Sequence, residues 1–187
     1  PRLSQVACLV YVCSFGGEVK MTIQIGDKLP SATLFEFFHE ETAGCSLGPN
    51  AFEVQKEAAG KTIAILALPG AYTPTCSAKH VPGFIQNFDA FKAKGVDEIW
   101  CISVNDAFVM GMWGKSMGAE GKIRMMADGS AEFTKKIGME LDLTARGMGV
   151  RSNRYSMLVK DGVVVQFNLE PAGVFENSTA EKLLSQI

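Results

Sequence analysis

One cysteine of the sequence follows a turn that is suited to making a thiol reactive. Cys76 ends the run LPGAYTPTC, which joins a continuous apolar run to a segment with helical spacing. A cysteine in the first turn of a helix meets unpaired backbone N–H groups and the positive end of the helix dipole, and both favour an anion. The thiolate is such an anion and is the nucleophilic form of cysteine. The sequence therefore predicts a reactive thiol at Cys76, against the alternative of a small core residue.

The remaining cysteines are candidates for a second thiol. The count of five is odd, the spacing is irregular and no C-x-x-C pair occurs, which argues for a reducing compartment and against a disulfide framework, a zinc ribbon or a dithiol motif. Cys101 lies within an apolar run and is expected to be buried and inert. Cys45 lies in a glycine-rich loop and is more available, the alternative being a passive surface thiol. Cys8 and Cys13 carry little functional weight.

The bulk composition indicates one globular domain. The chain has 187 residues, 47% of them hydrophobic and 20% charged, with a net charge of −2. The balanced charge does not indicate binding to nucleic acid or to an anionic membrane. No run reaches the roughly 18 apolar residues of a membrane-spanning helix. Residues 1–20 are interpreted as an extension outside the fold, with a short targeting segment as the alternative. We expect one domain at 21–187 and a cytoplasmic protein, with organellar targeting as the alternative.

The elements that must position Cys76 alternate between strand and helix. Apolar runs predict strands at 32–38, 62–68, 98–104 and 123–127, and helical patterns predict α-helices at 51–58, from the 72–77 turn to about 94, at 106–117, 130–137 and 179–187. Pro82 predicts a kink in the second helix, Asp106 predicts a cap, and residues 40–50 are expected to form a loop. Asp161-Gly162 predicts a hairpin between strands 155–160 and 163–168. This order favours an α/β thioredoxin-like fold, a central mixed sheet flanked by helices with a C-terminal antiparallel hairpin and helix, over a doubly wound sheet.

Several separated motifs resemble one family. Pro69-x-x-x-Thr73-x-x-Cys76 is similar to the peroxiredoxin signature. The longer run LPGAYTPTCSAKHVPGF, the segment GVDEIWCISVNDAFVM, the run Asn153-Arg154-Tyr155-Ser156 and the KDGVV hairpin resemble the type II, peroxiredoxin-five-like subfamily of the AhpC/TSA-redoxin family. The likeness runs from about Met21 to Ile187.

The resemblance implies a role for each matching residue. Cys76 is expected to be the peroxidatic cysteine, Thr73 to offer its hydroxyl to the thiolate and the peroxide, and Pro69 to shield the pocket that Gly70 helps to line. Arg154 is expected to hold the thiolate and polarise the O–O bond, since a guanidinium presents several donors at once. Arg151 and Arg146 compete with Arg154 for this role, but only Arg154 matches the motif. His80 is expected to be structural or pocket-lining, and no metal or other cofactor is implied.

The resemblance also implies a thiol reductant and a homodimer. Residues 173–180 match the stretch in which some relatives carry a resolving cysteine, but they contain none. We therefore favour one working cysteine recycled by glutathione with glutaredoxin, or by thioredoxin, and keep Cys45 and Cys101 as possible resolving thiols. Phe108 and Trp113 are expected to be exposed near the pocket, as part of a dimer contact.

Other functions of a reactive cysteine rank lower. A peroxide sensor or redox relay would use the same Cys76 and pass its oxidation to a partner. A thiol–disulfide oxidoreductase would need a second cysteine after Cys76, where Ala78 and Lys79 stand. A cysteine hydrolase would pair Cys76 with a base such as His80 and would need an oxyanion site that the sequence does not reveal.

Overall fold

The computed structural model describes residues 22–38 and 48–187. The predicted extension at 1–20, with Cys8 and Cys13, lies outside the described residues, as does Cys45. The strands are β1 (Thr33–Glu36), β2 (Asn50–Glu53), β3 (Thr62–Ala67), β4 (Glu98–Ser103), β5 (Arg124–Ala127), β6 (Glu140–Leu143), β7 (Gly149–Ser152), β8 (Tyr155–Lys160) and β9 (Val163–Leu169). The helices are α1 (Val54–Ala58), α2 (Val81–Gln86), α3 (Phe88–Ala93), α4 (Ala107–Met117), α5 (Glu132–Lys136) and α6 (Ala180–Leu184), with a π-helical turn at Cys76–His80 and a 3₁₀ turn at Thr144–Arg146.

A mixed sheet of seven strands forms the centre of the fold. Its strand order is β2-β1-β5-β4-β3-β8-β9, with β6 and β7 forming a separate two-stranded sheet. Strands β3, β4 and β5 are parallel, whereas β8 and β9 on one side and β1 and β2 on the other add antiparallel strands. The predicted thioredoxin-like α/β fold is confirmed, and the doubly wound alternative is wrong because both flanks of the sheet are antiparallel.

Both faces of the sheet are buried, which explains why its central strands are continuous apolar runs. Successive side chains of a strand point to opposite faces. In β3, Ala64 and Leu66 pack with the core on the side of Cys76, whereas Ile63 and Ile65 pack with a second core on the other side. Strand β8 shows the same alternation, with Leu158 on the side of Cys76. A residue at an even position near the start of β8 is therefore directed to the face that holds Cys76.

Two local predictions are confirmed, the two-residue turn of the β8–β9 hairpin and the N-cap of α4. Asp161 and Gly162 have φ angles of 47° and 74°, the pair of positive values that a two-residue hairpin turn requires. Asp106 is the N-cap of α4, and its carboxylate accepts a hydrogen bond from the N–H of Val109 at 3.0 Å.

Two element predictions are wrong in extent or kind, and two strands were not predicted. The helix expected to reach residue 94 is broken at Asn87, whose side chain donates to the carbonyl of Gly83 at 2.9 Å and separates α2 from α3. The segment 51–58, expected to be helical throughout, begins as part of β2, which pairs with β1. Strands β6 and β7 were not predicted, because they are short and mostly half-exposed and so lack an apolar run.

Candidate active site

The chain leaves β3 through a tight turn that leads directly to Cys76. The carbonyl of Gly70 accepts hydrogen bonds from the hydroxyl of Thr73 at 2.9 Å and from its N–H at 3.4 Å. The N–H of Ala71 donates to the side chain of Asn105 at 2.9 Å, which ties the turn to the end of β4. Tyr72 has a φ of 60°, in the left-handed region that a non-glycine residue adopts at a cost of about 1 kcal/mol or more. The turn is thus held from several sides in a strained conformation.

Cys76 opens a widened helical turn beneath this exit. Its side chain is fully buried, and the N–H of Val81 donates to its carbonyl across five residues. Pro82 explains the widening, because its ring would meet the carbonyl four residues earlier in a regular α-helix. The kink expected at Pro82 therefore takes the form of a π-helical turn, and π-helical turns occur often at functional sites.

Arg154 reaches the sulfur of Cys76 from the adjacent strand. Tyr155, the first residue of β8, pairs with Ala67, the last residue of β3, so Arg154 lies beside the strand exit. Because Arg154 has an even residue number, its side chain points to the same face of the sheet as that of Leu158, which is the face of Cys76. Its Nη2 donates to Cys76 Sγ at 3.3 Å. A permanently charged donor at this distance stabilises negative charge on the sulfur.

His80 binds the second terminal nitrogen of the Arg154 guanidinium, Nη1. Its Nδ1 lies 3.0 Å from Arg154 Nη1, and its Nε2 lies 3.0 Å from the carbonyl oxygen of Ser178. Since a guanidinium only donates and a carbonyl only accepts, these partners assign the tautomer in which Nε2 carries the proton and Nδ1 accepts. Burial, together with the charge of Arg154, lowers the pKa of His80 from 6.5 to about 3, although the Ser178 carbonyl opposes this shift. The neutral imidazole is thus a fixed acceptor that orients Arg154.

The turn before α6 covers the guanidinium and contains contacts that the sequence did not predict. The ring of Phe175 lies 5.6 Å from the Arg154 guanidinium and 5.1 Å from the His80 ring. Ser178 supplies the carbonyl that orients His80. Both residues are more than seventy positions from Cys76 in sequence, and no local motif marks them.

The two described cysteines are both free thiols in the same core. Cys101 lies in the middle of β4, opposite Leu66 of β3, and is fully buried. Burial raises the pKa of the Cys101 thiol well above 9.0, the nearby Cys76 raises it further, and Arg154 lowers it. The expected burial of Cys101 is confirmed, and its environment disfavours the thiolate that a resolving step would need.

The remaining predicted residues lie around the strand exit. Pro69 is half-buried and Gly70 is buried. A Cβ atom on Gly70 would lie 3.0 Å from Nη1 of Arg151 and 3.3 Å from Cγ2 of Thr73, so a larger residue there would require both side chains to shift by a few tenths of an ångström. Arg151 Nε donates to the carbonyl of Met148 at 2.8 Å, and Arg146 is exposed on the 3₁₀ turn; of the three arginines, Arg154 is the one bonded to Cys76.

The expectation for the two aromatic residues of α4 is half right. Phe108 is 49% exposed, but Trp113 is fully buried and its Nε1 donates to the hydroxyl of Ser77 at 3.1 Å. Trp113 was expected at the surface because the run from Ala107 to Met117 is apolar almost throughout and does not mark which face packs on the sheet. Its indole therefore lies beside the residue that follows Cys76.

Two further properties of the described part of the chain bear on function. A cavity of about 710 Å³ lies elsewhere, between α4 and β5, where Phe37, Gly111 and Met125 help to line it. Cys76 and Arg154 are not among its lining residues. None of the helices described is long and apolar enough to cross a membrane.

Comparison with known proteins identifies the family. The Redoxin family model matches residues 24–184. The chain is 46% identical over 171 residues to peroxiredoxin-2E, chloroplastic, of Arabidopsis thaliana, covering 90% of this chain and 71% of that protein. The structure of reduced Prx3 in complex with H₂O₂ from Vibrio vulnificus superposes with a TM-score of 0.81 at 45% identity, covering 88% of this chain and 99% of that one. A Burkholderia cenocepacia protein provisionally named a thioredoxin reductase superposes with a TM-score of 0.87 at 54% identity, covering 89% and 98% of the two chains.

The chain belongs to the peroxiredoxins of the AhpC/TSA-redoxin family. The assignment rests on the Redoxin match and on the named peroxiredoxins, and the Burkholderia protein shares the fold under a different name. The resemblance predicted from the motifs around Cys76 is confirmed. The protein is thus a thiol-dependent peroxidase, an oxidoreductase that acts on a peroxide with a thiol reductant.

Proposed function

We propose that Cys76 is the peroxidatic nucleophile and that hydrogen peroxide and alkyl hydroperoxides are the substrates. The hydrogen bond from Arg154 Nη2 to Cys76 Sγ at 3.3 Å carries this proposal. It places a permanent positive charge beside the sulfur of a cysteine near the start of a helix, where negative charge that develops during the reaction is stabilised. The alternative arginines do not contact the sulfur within the described residues.

The first step forms an S–O bond and breaks the peroxide O–O bond. The Cys76 thiolate attacks one peroxide oxygen, the sulfur is oxidised to sulfenic acid, and the second oxygen leaves as hydroxide or alkoxide and takes up a proton to become water or alcohol. Negative charge moves from the sulfur to the departing oxygen as the reaction proceeds. Arg154 has donors for both atoms, so its interaction can strengthen in the transition state.

Thr73 acts on the peroxide as a hydrogen-bond acceptor. The Thr73 hydroxyl donates its proton to the Gly70 carbonyl at 2.9 Å. Its oxygen lone pairs therefore remain available to accept a hydrogen bond from a substrate. A peroxide O–H can donate to them while Arg154 donates to the peroxide oxygens. Thr73 and Arg154 together would then orient the O–O bond toward the sulfur. Pro69 and Gly70 form the adjoining wall of the strand exit.

An external thiol recycles the enzyme. A first thiol attacks the sulfenic acid, forming a mixed disulfide and releasing water, and a second thiolate then releases Cys76 and leaves with the first as a disulfide. The buried, free Cys101 supports this one-cysteine route over internal resolution. We propose glutathione with glutaredoxin as the donor, and thioredoxin as the alternative. Because Cys76 is fully buried, a donor of this size requires the π-helical turn to open.

The protein acts as a homodimer in the cytoplasm in this proposal, in antioxidant defence and redox homeostasis. Phe108 and Met112 are one helical turn apart on α4, and both are about half exposed. Paired apolar side chains on one helix face support a contact with a second copy. The odd and irregular set of cysteines supports a reducing compartment.

Peroxide consumption in the presence of each reductant tests the proposal. Wild type, Cys76→Ser and the matched control Cys101→Ser are assayed with glutathione plus glutaredoxin and with thioredoxin plus its reductase. Wild type and Cys101→Ser should turn over with at least one pair, and Cys76→Ser should not. Turnover by Cys76→Ser at the native rate contradicts the proposal. Fast oxidation of Cys76 without turnover by either pair identifies a peroxide sensor or relay instead.

A further inference from the structure

Glu170 is a buried carboxylate that organises the turn over the active site. It follows β9 and is 6% exposed. Its Oε1 accepts three hydrogen bonds, from the N–H of Glu176 at 2.8 Å, from the N–H of Ser178 at 2.6 Å and from the hydroxyl of Ser178 at 3.0 Å. Its Oε2 is buried and has no partner among the described residues. Burying a carboxylate without a cation is costly, so these three bonds are what hold it in place.

Ser178, which Glu170 bonds directly, contacts His80, and Phe175, the neighbour of the bonded Glu176, contacts both His80 and Arg154. The carbonyl of Ser178 accepts the His80 Nε2 proton, and the ring of Phe175 packs on both the imidazole and the guanidinium. Glu170 also donates its own N–H to the carbonyl of Arg154 at 3.0 Å. Glu170 is thus joined to the site in two ways, because its backbone N–H bonds the backbone of Arg154 and its carboxylate holds the turn that contacts His80.

The direction of each hydrogen bond makes this chain of contacts specific. Because the Ser178 carbonyl can only accept, it fixes the proton of His80 on Nε2. The unprotonated Nδ1 then accepts from Arg154 Nη1, which leaves Nη2 to donate to Cys76 Sγ. If the carbonyl moved away, the proton could shift to Nδ1, which would then no longer accept from Arg154. The orientation of Arg154 therefore depends on the position of Ser178.

We propose that Glu170 is a positioning residue for the peroxidase site, which holds Ser178 and Phe175 against His80 and Arg154 and so keeps Arg154 Nη2 on the sulfur of Cys76. The inference rests on the proposed role of Cys76. It adds a residue that makes no contact with the sulfur itself and that lies 94 positions away in sequence.

The test measures the reaction of Cys76 with hydrogen peroxide and the state of His80 in the same variants. Glu170→Gln keeps the shape of the side chain and removes its charge, and Glu176→Gln is the matched control because it makes the same change at an exposed position of the same turn. We expect Glu170→Gln to lower the second-order rate constant with hydrogen peroxide roughly tenfold, because the amide oxygen still accepts but its three bonds are about half as strong as those of the carboxylate. Glu176→Gln should leave the rate constant unchanged.

Two further readouts separate positioning from a purely structural role. The chain has two histidines, so the ¹⁵N spectrum of the imidazoles reports the tautomer of His80 directly. Glu170→Gln should move the His80 signals away from the Nε2-protonated form and speed hydrogen exchange at the amides of Glu176 and Ser178. In a His80→Ala background, Glu170→Gln should give a smaller loss of rate, because the path through His80 has been removed and only the contact of Phe175 with Arg154 remains.

Each outcome either supports or overturns the inference. An unchanged rate constant and an unchanged His80 spectrum in Glu170→Gln overturn it, and so does a loss of rate that is equally large in the His80→Ala background. If Glu170→Gln does not fold, Ser178→Ala removes one of the three hydrogen bonds and should give a smaller loss of rate with the same direction of spectral change. Failure of the proposed function is recognised separately, by peroxide reduction that survives Cys76→Ser.

Discussion

Replacing Arg154 with lysine removes one of two hydrogen bonds that the guanidinium makes at once. Arg154 donates to Cys76 Sγ at 3.3 Å through Nη2 and to His80 Nδ1 at 3.0 Å through Nη1, so two different nitrogens of one planar group are used at once. A lysine ammonium carries the same charge on a flexible stem but lacks the fork that meets both acceptors. If it serves His80, then Cys76 and the departing oxygen lose their donor. Arg154→Lys is therefore expected to slow the reaction while it preserves the charge.

The size of the effect follows from the energy of the lost bond. A hydrogen bond to a charged group contributes about 1.5–3 kcal/mol. With about 1.4 kcal/mol for each factor of ten, the second-order rate constant with hydrogen peroxide should fall roughly 10- to 150-fold. If the lysine serves Cys76 instead, buried His80 Nδ1 loses its donor, and the free energy of unfolding should fall by about 1–3 kcal/mol.

Stopped-flow fluorescence measures this rate constant without an added probe. Trp113 donates to Ser77, the residue after Cys76, so its emission should change when Cys76 is oxidised. A Trp100→Phe background leaves Trp113 as the reporter, and Arg146→Lys is the matched control because Arg146 is exposed on the 3₁₀ turn. A rate constant for Arg154→Lys within about twofold of wild type, with unchanged stability, would refute the role given to Arg154.

Three further predictions concern the surroundings of the site. Cys101 should react with iodoacetamide at about pH 8 far more slowly in the folded protein than in the denatured chain, because burial raises the pKa of its thiol well above 9.0. Cys101→Ser should keep turnover, and equally fast labelling of Cys101 in the folded and denatured protein would contradict this. The fold lowers the pKa of His80 from 6.5 to about 3, so between these pH values the unfolded chain binds one more proton than the folded protein. The free energy of unfolding should therefore fall on acidification from about pH 6.5 to about pH 3, by up to about 1.4 kcal/mol per pH unit. Denaturant unfolding at several pH values checks this against His80→Asn, in which that dependence should flatten. Tyr155→Phe should raise the free energy of unfolding by about 1 kcal/mol, because the Tyr155 hydroxyl is buried without a partner among the described residues. A lower stability of Tyr155→Phe on thermal unfolding would contradict this and would show that the hydroxyl makes a stabilising hydrogen bond.

The parts of the fold that the sequence predicted correctly are those with strong local patterns. The apolar run of β3, the Asp161-Gly162 hairpin and the Asp106 cap each carry their signal within a few residues. The break between α2 and α3 was missed because Phe84, Phe88 and Phe91 keep helical spacing across it. Asn87 is the residue between α2 and α3, its side chain donates to the carbonyl of Gly83, and the spacing of apolar residues does not report this contact.

The same distinction applies to the candidate site. Cys76 could be predicted because the strand exit and the helix start adjoin it in sequence. Arg154 could be named only through a motif, since its approach to Cys76 depends on the register between β3 and β8. The partner of His80 is the Ser178 carbonyl, 98 positions away, and no side-chain type predicts a backbone oxygen as a partner. Glu170 was missed for the same reason, because its partners are mainly backbone N–H groups brought together by the turn before α6.

The location of the first oxygen atom transferred from hydrogen peroxide shows whether Cys76 is the peroxidatic nucleophile. Fully reduced protein is treated with one equivalent of hydrogen peroxide, the sulfenic acid is trapped with dimedone, and the modified cysteine is located by peptide mass spectrometry in wild type and in Cys76→Ser. We expect the adduct on Cys76 in wild type and no adduct formed at a comparable rate in Cys76→Ser. Rapid adduct formation on Cys45 or Cys101, or undiminished peroxide loss in Cys76→Ser, would contradict it.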